Sequence, residues 1–266
     1  MPVADNNGVS IRYEVAHGTV GRDEAVVFCG DVGFGPWSFS WQHGALAGPY
    51  TVVTPESRGI GRSDTPPGPY TVETFAADLD AVLSDADVRG AHLIGYGLGG
   101  MVALAYAERF SRANTLTVIG SAATGETFAP EPFRTDPPTD RAVRGSTKRL
   151  LSSSFYTERQ GVLDQIVEWR LAEDARGAAF VAQRDAVRRF DRSNHLFGIT
   201  TPTLVIHGSE DAVCPIRAGE WLASGLPRGE FHPIDGAGHL VGVEASAAVN
   251  DAITGWIADQ GTDPFA

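Results

Sequence analysis

A chain of 266 residues with 42% hydrophobic side chains is long enough to bury one sizeable core, with room for an inserted subdomain. Its formal net charge of −12, with no run of basic residues, sets up a field that repels phosphate backbones and anionic lipid heads, which excludes nucleic acid and membrane surfaces as partners. The first residues, MPVADNNGVS, carry neither a basic nor an apolar leader segment, and no later stretch reaches the roughly eighteen apolar residues of a membrane span; the expectation is a cytoplasmic protein.

Short β-rich runs alternate with helical periodicities along the chain, the pattern of a mostly parallel sheet covered on both faces. SIRYEV (10–15) alternates like a half-buried edge strand. AVVFC (25–29), YTVVTP (50–55), AHLIG (91–95), TLTVIG (115–120), TLVIHG (203–208) and EFHPI (230–234) read as buried strands. Between the second and third of these, Thr71 is placed to cap a helix whose Val72, Phe75, Leu79, Val82 and Leu83 recur on one face. A last helix is predicted from the stripe Val249, Ile253, Trp256 and Ile257.

The alternation stops between about Ala122 and Thr201. Pro130, Pro132, Pro137 and Pro138 punctuate a loop there, and helical stretches follow, one with Leu163, Val167 and Leu171 in a row beside Ile166 and Trp169. Residues 122–201 therefore read as a helical cap over the carboxyl ends of the strands, where open α/β sheets bind ligands, and 1–121 with 202–266 as the core. Cys29 and Cys214 are too few for a disulfide framework and lack metal-site spacing, so they read as reduced thiols, and no metal site is expected. Lys148 is the single lysine among 21 basic residues, a codon bias of GC-rich bacterial genomes.

LIGYGLGG (93–100) reads as a strand running into a tight turn and a helix. With CGDVGFGPW, ESRGIGRSDTP, GSEDAVCP and GAGHL in that order around it, the chain resembles the α/β-hydrolase fold superfamily over nearly all its length. The resemblance implies an eight-stranded, mostly parallel sheet flanked by helices, with an inserted helical cap. It matches Asp211 to the triad acid and His239 to the triad base, with the carboxylate fixing the imidazole tautomer and leaving the other ring nitrogen free to take a proton. Each also has a plain reading alone, Asp211 as a turn carboxylate and His239 as a packed loop histidine.

The middle of Gly-X-Ser-X-Gly is where the pattern departs: Gly97 stands at the nucleophile position. A strained elbow suits glycine, but losing the serine costs a serine protease roughly a millionfold in turnover, so an acyl-enzyme route is not expected. The family's His-Gly of the oxyanion loop is here Cys29 and Gly30, followed by Asp31, whose carboxylate would oppose an oxyanion yet could serve as an acid or a second base. In relatives that break carbon–halogen bonds or open epoxides the attacking aspartate sits at the elbow, and it too is absent. Cys29 as a substitute nucleophile competes with its reading as a small buried hydrophobe.

The backbone amides of Asp31 and Leu98 are expected to form an anion-binding corner, with room at position 97 for a water or a substrate atom. The pocket lining is expected to include Cys29, Gly30, Phe34, Trp37, Tyr96, Ser121, Trp169 and Leu240, with Arg58 and Arg62 outside it. Aromatic residues at these positions favour a small apolar or aromatic metabolite. The implied function is a cofactor-independent enzyme in which a His–Asp dyad acts as general base, in elimination, isomerisation, cyclisation, decarboxylation or direct attack by water, within bacterial specialised metabolism. Two alternatives stay open: a serine ester or lactone hydrolase inactivated by a serine-to-glycine exchange, and a non-catalytic ligand-binding protein. A homodimer is also left open.

Overall fold

A computed structural model describes residues 1–260, leaving aside the side chains of 20–23; the last six residues of the expected core, 261–266, lie outside the described residues. The strands are β1 (Val3–Asn6), β2 (Val9–Ala16), β3 (Val20–Cys29), β4 (Tyr50–Pro55), β5 (Gly90–Tyr96), β6 (Ala113–Ile119), β7 (Thr203–Gly208) and β8 (Gly229–Ile234). They form one eight-stranded sheet in the order β1-β2-β4-β3-β5-β6-β7-β8. The β1/β2 and β2/β4 pairs are antiparallel, and the remaining pairs are parallel. This is the α/β-hydrolase fold.

Helices α1 (Ser40–Leu46), α2 (Val72–Asp85) and α3 (Leu98–Arg109) connect the central strands. Four more, α4 (Asp140–Lys148), α5 (Ser153–Glu158), α6 (Gln160–Glu173) and α7 (Gly177–Arg189), fill the segment between β6 and β7. The chain closes with α8 (Ile216–Gly225), the short α9 (Val241–Glu244) and α10 (Ser246–Gln260). Side chains of the central strands alternate between two apolar layers. Val27 and Leu93 join the layer that includes α2, α3 and the β6–β7 segment, whereas Val26, Phe28 and Ile94 join the one that includes Val249, Ile253 and Ile257 of α10.

The chain leaves β3 for β4 on one side and returns through α2 to β5 on the other, so the strand order reverses between β3 and β5. Their carboxyl ends lie side by side, with Cys29 opposite Gly95. Two loops, one after each strand, therefore meet at the switch point where ligands bind in such sheets.

Three strand expectations change. Strand β1 was not anticipated; it pairs with β2 across Asn7 and Gly8, both at positive φ (54° and 84°), and this makes β2 an inner strand rather than an edge. At the other end, β8 is the edge strand and only half-buried, because β7 pairs it on one side alone. The α2 cap is of the expected kind: the Thr71 hydroxyl accepts from the Thr74 amide at 3.2 Å, closing a reciprocal box.

Candidate active site

Gly97 is the residue between β5 and α3, with φ 48° and ψ −109°, a backbone state that an L side chain enters only under strain. The turn is held by the Gly97 amide donating to the Ile119 carbonyl (2.9 Å) and by the Ser121 hydroxyl donating to the Gly97 carbonyl (2.7 Å). At the second residue of α3, a Cβ on Gly99 would overlap the Cys29 carbonyl, so the absence of a side chain there lets the helix start close against the end of β3.

The close approach brings the Asp31 loop onto the first turn of α3. Asp31 Oδ1 accepts from the Leu98 amide at 2.9 Å and the Val32 amide at 2.6 Å. Its other oxygen, Oδ2, lies 2.9 Å from His239 Nε2, while His239 Nδ1 lies 2.8 Å from Asp211 Oδ2. Asp211 Oδ1 in turn accepts from the amides of Val213 and Cys214 at 2.8 and 2.9 Å, an Asx turn after β7. All three side chains of the array have no accessible surface.

Carboxylates only accept, so an imidazole with one on each nitrogen donates from both and is an imidazolium. Burial alone would lower the His239 pKa, but the Asp211 charge and hydrogen bond, with those of Asp31, outweigh it and raise it from 6.5 to about 10. Burial likewise pushes Asp211 upward, and the imidazolium and His207 reverse this, holding it well below the usual carboxylate range. His207 is buried below Asp211, its Nε2 donating to the Cys214 carbonyl (2.7 Å) and lying 3.3 Å from Asp211 Oδ2. Nothing in the sequence pattern singled His207 out; its offset of four residues from Asp211 across the β7 turn is the available signal.

Aromatic rings enclose the imidazolium. Phe133, Tyr96 and Phe128 stand edge-on to it with centroids at 5.4, 5.6 and 5.7 Å. The Tyr96 hydroxyl donates to the His239 carbonyl at 2.5 Å, which ties the histidine loop to β5. Phe128 and Phe133 were not among the expected pocket residues, because they lie in the proline-punctuated loop where no periodicity marks a buried face.

The expected pocket residues do not share one cavity. Cys29 and Gly30 face a void of about 30 Å³ shared with Leu98 and Gly99. Trp37 and Trp169 line an outer groove of about 600 Å³ with Glu14, Glu56, Arg62 and Glu173. Phe34 lies between Trp37 and Phe133, its ring tilted against both with centroids at 4.8 and 4.9 Å, and Leu240 is buried beside His239. Arg58 lies in a buried bidentate pair with Asp78 (2.5 and 2.6 Å). Arg62 reaches the outer groove.

Several chemical expectations change here. The amides that converge are those of Val32 and Leu98, not Asp31 and Leu98, because Asp31 turns its own carboxyl into the corner. The room expected at position 97 is filled: a Cβ built on Gly97 would overlap the carboxyl carbon and both oxygens of Asp31. The second nitrogen of His239 is bound to Asp31 rather than free. Burial pushes the Cys29 thiol up to about 12 and the Cys214 thiol well above its ordinary value, which leaves both as thiols. Among the described residues, no three His, Cys, Asp or Glu side chains are grouped to hold a metal ion, and no helix is long and apolar enough to cross a membrane.

Residues 16–252 match the model of the Alpha/beta hydrolase family. The chain belongs to this family. Among its curated relatives, the 3-oxoadipate enol-lactonase 2 of Acinetobacter baylyi is 26% identical over 264 residues, covering 95% of this chain and 97% of its own. The putative carbamate hydrolase RutD of Azorhizobium caulinodans is 24% identical over 265 residues, covering 96% and 98%. A crystal structure of the enol-lactonase from Burkholderia xenovorans superposes with a TM-score of 0.86 at 22% identity, covering 97% of this chain and all of that one. Est816, described as an N-acyl homoserine lactone degrading enzyme, gives a TM-score of 0.82 at 26% identity, covering 96% and 99%. Within the α/β-hydrolase family, then, the relatives named are hydrolases.

Proposed function

We propose that this member of the family is a cofactor-independent enzyme that moves protons on a small apolar or aromatic carbonyl metabolite through Asp31, His239 and Asp211, without an acyl-serine intermediate. The carrying observation is an imidazole bound by a carboxylate on each ring nitrogen, at 2.8 and 2.9 Å, with all three side chains closed off from water. In this reading Asp31 Oδ2 takes the proton from an acidic C–H beside a carbonyl. The freed electron pair moves onto the carbonyl oxygen, which accepts a hydrogen bond from His239 Nε2–H, and Asp211 holds the ring through Nδ1. Asp31 then returns its proton to another carbon or to a leaving group, giving isomerisation or elimination. The segment between β6 and β7 serves as the cap that closes the site over the substrate.

The test is solvent deuterium exchange at the α-carbon of a panel of small aromatic ketones and lactones, followed by mass spectrometry. The native protein is expected to catalyse exchange with part of the panel, and Asp31→Asn to lose it by about 10²- to 10⁴-fold, the range of a positioned acid or base. Exchange that survives Asp31→Asn at full rate would overturn the assignment.

A second reading is favoured by the relatives' names: direct attack of water on a lactone or carbamate, with His239 as the base. It requires neutral imidazole, so its rate climbs with pH toward the His239 pKa of about 10. Proton transfer by Asp31 needs the imidazolium, so its rate is level at neutral pH and falls as pH passes that same value. The opposite slopes separate the two.

A further inference from the structure

We propose that Asp31 decides the class of reaction: the chain holds an acyl-transfer centre, complete but for a hydroxyl, that this one carboxylate keeps filled. The inference does not rest on the proton-transfer reading, since it concerns what the site becomes when the carboxylate is gone.

Three parts of such a centre are in place. The amides of Val32 and Leu98 converge within 2.6 and 2.9 Å of one oxygen, Asp31 Oδ1, which is where an acyl oxyanion would be received. His239 is oriented by Asp211 at 2.8 Å and directs Nε2 at the same spot. A Cβ built on Gly97, at its φ of 48°, points to the Asp31 carboxyl, whose Oδ2 meets His239 Nε2 at 2.9 Å. A Cβ at residue 97 would lie within 2.4 Å of all three atoms of the Asp31 carboxyl group, so the carboxyl has to leave this spot before a side chain can enter it. Asp31 and Gly97 are thus a mutually exclusive pair, and the glycine is the partner Asp31 requires rather than the scar of a lost serine.

The prediction is a square of four proteins: native, Asp31→Gly, Gly97→Ser, and both together. In the double variant the introduced hydroxyl gives its proton to His239 Nε2 as its oxygen bonds to the ester carbonyl carbon. The amides of Val32 and Leu98 hold the oxyanion, and the departing alkoxide takes the proton back as its bond to carbon breaks. Water then repeats the sequence on the acyl group. The probes are a fluorophosphonate, read as covalent mass added at residue 97, and p-nitrophenyl butyrate.

The double variant is expected to be labelled stoichiometrically and to hydrolyse the ester at least about 100-fold faster than Gly97→Ser alone, because losing even one amide donor costs a serine enzyme 10² or more. Native protein and Asp31→Gly are expected to stay unlabelled. Asp31→Ala with Gly97→Ser is made alongside, and near-ultraviolet circular dichroism admits only folded variants. Gly97→Ser reacting as fast as the double variant would overturn the proposal, as would folded double variants that take no label. Deuterium exchange by the native protein is read separately, so a failure of one reading leaves the other standing.

Discussion

At the scale of single residues, the site turns on an exchange of volume between Asp31 and Gly97. The space that a Cβ at 97 would take is held by the carboxyl of Asp31 from the neighbouring loop, whose Oδ2 lies 2.9 Å from His239 Nε2. Asp211 first, and Asp31 with it, raise His239 to about 10 against the effect of burial. Two predictions belong here. Asp31→Gly empties the corner between the Val32 and Leu98 amides, and formate supplied in solution should fit it; proton-transfer activity lost in that variant is expected to return, saturably, as formate is raised. Asp31→Glu should not substitute, because one more methylene has no room against the first turn of α3. A formate dependence with no saturation, or rescue by chloride to the same level, would argue against a seated carboxylate.

At the scale of elements, α6 is fastened to the Asp31 loop by Arg170. Its Nε donates to Asp174 at 2.8 Å, its Nη1 to the hydroxyls of Ser146 and Thr147 at 2.9 and 2.8 Å, and its Nη2 to the Phe133 carbonyl at 3.2 Å. Asp174 also accepts from Trp37 Nε1 at 2.8 Å, and the guanidinium lies 4.8 Å over the Phe34 ring. One side chain, 1% exposed, thus ties α4, α6 and the Phe133 loop to the residues that follow Asp31. Arg170→Met leaves Asp174 buried without its cation, and the expected loss is about 3–5 kcal/mol in urea unfolding. Adding Asp174→Asn removes the stranded charge while keeping an acceptor for Trp37, and should recover part of it. Equal losses in the single and double variants would mean that packing, not charge, sets the cost.

The same scale shows what the sequence made legible. LIGYGLGG announced β5, its turn and α3, because a buried strand, glycines and an apolar helix follow each other without interruption. The motifs around Asp211 and His239 placed them by type, and the structure pairs the two with each other and His239 with Asp31. Arg170 was hidden inside a helix with no marked polar face, and its four partners come from α4, the residue that caps the end of α6 and the Phe133 loop, a grouping only the packed fold creates. Strand β1 is four residues long, too short to show a period, although Asn7 and Gly8 carried the hairpin signal. That Asp31 fills the space beside Gly97 was not legible either, since it depends on the separation of two loops 67 residues apart in sequence at their hydrogen bond.

At the scale of the whole molecule, a buried array of two carboxylates and one imidazolium makes stability depend on pH, and the sign follows from each shift. His239 is raised from 6.5 to about 10, so the unfolded chain gives up this proton first; its contribution is complete below about 6.5 and drains away as pH rises to about 10. Asp211 is held low, so its contribution is present above the ordinary carboxylate value near 4 and is lost as pH falls below it. Asp174, Glu173 and Glu244 are raised chiefly by burial and act in the opposite sense, favouring the fold as they protonate, which blunts the acid limb. The alkaline limb is therefore the informative one. Unfolding free energies from urea titrations at pH 6 to 10 should fall steadily in the native protein, by an amount on the order of a few kcal/mol. Asp31→Asn removes one of the two charges that raise His239, so its decline should finish at a lower pH than in the native protein. A His239→Gln variant, neutral at residue 239 at every pH, should lie lower at pH 6 and fall much less over the same range, its remaining decline above about pH 9 coming from the buried Cys29 and Cys214 thiols, whose pKa values are raised by burial. A native curve that falls no more than that of the variant would show that no proton is trapped between Asp31 and Asp211, and the imidazolium on which the proton-transfer chemistry depends would be gone with it.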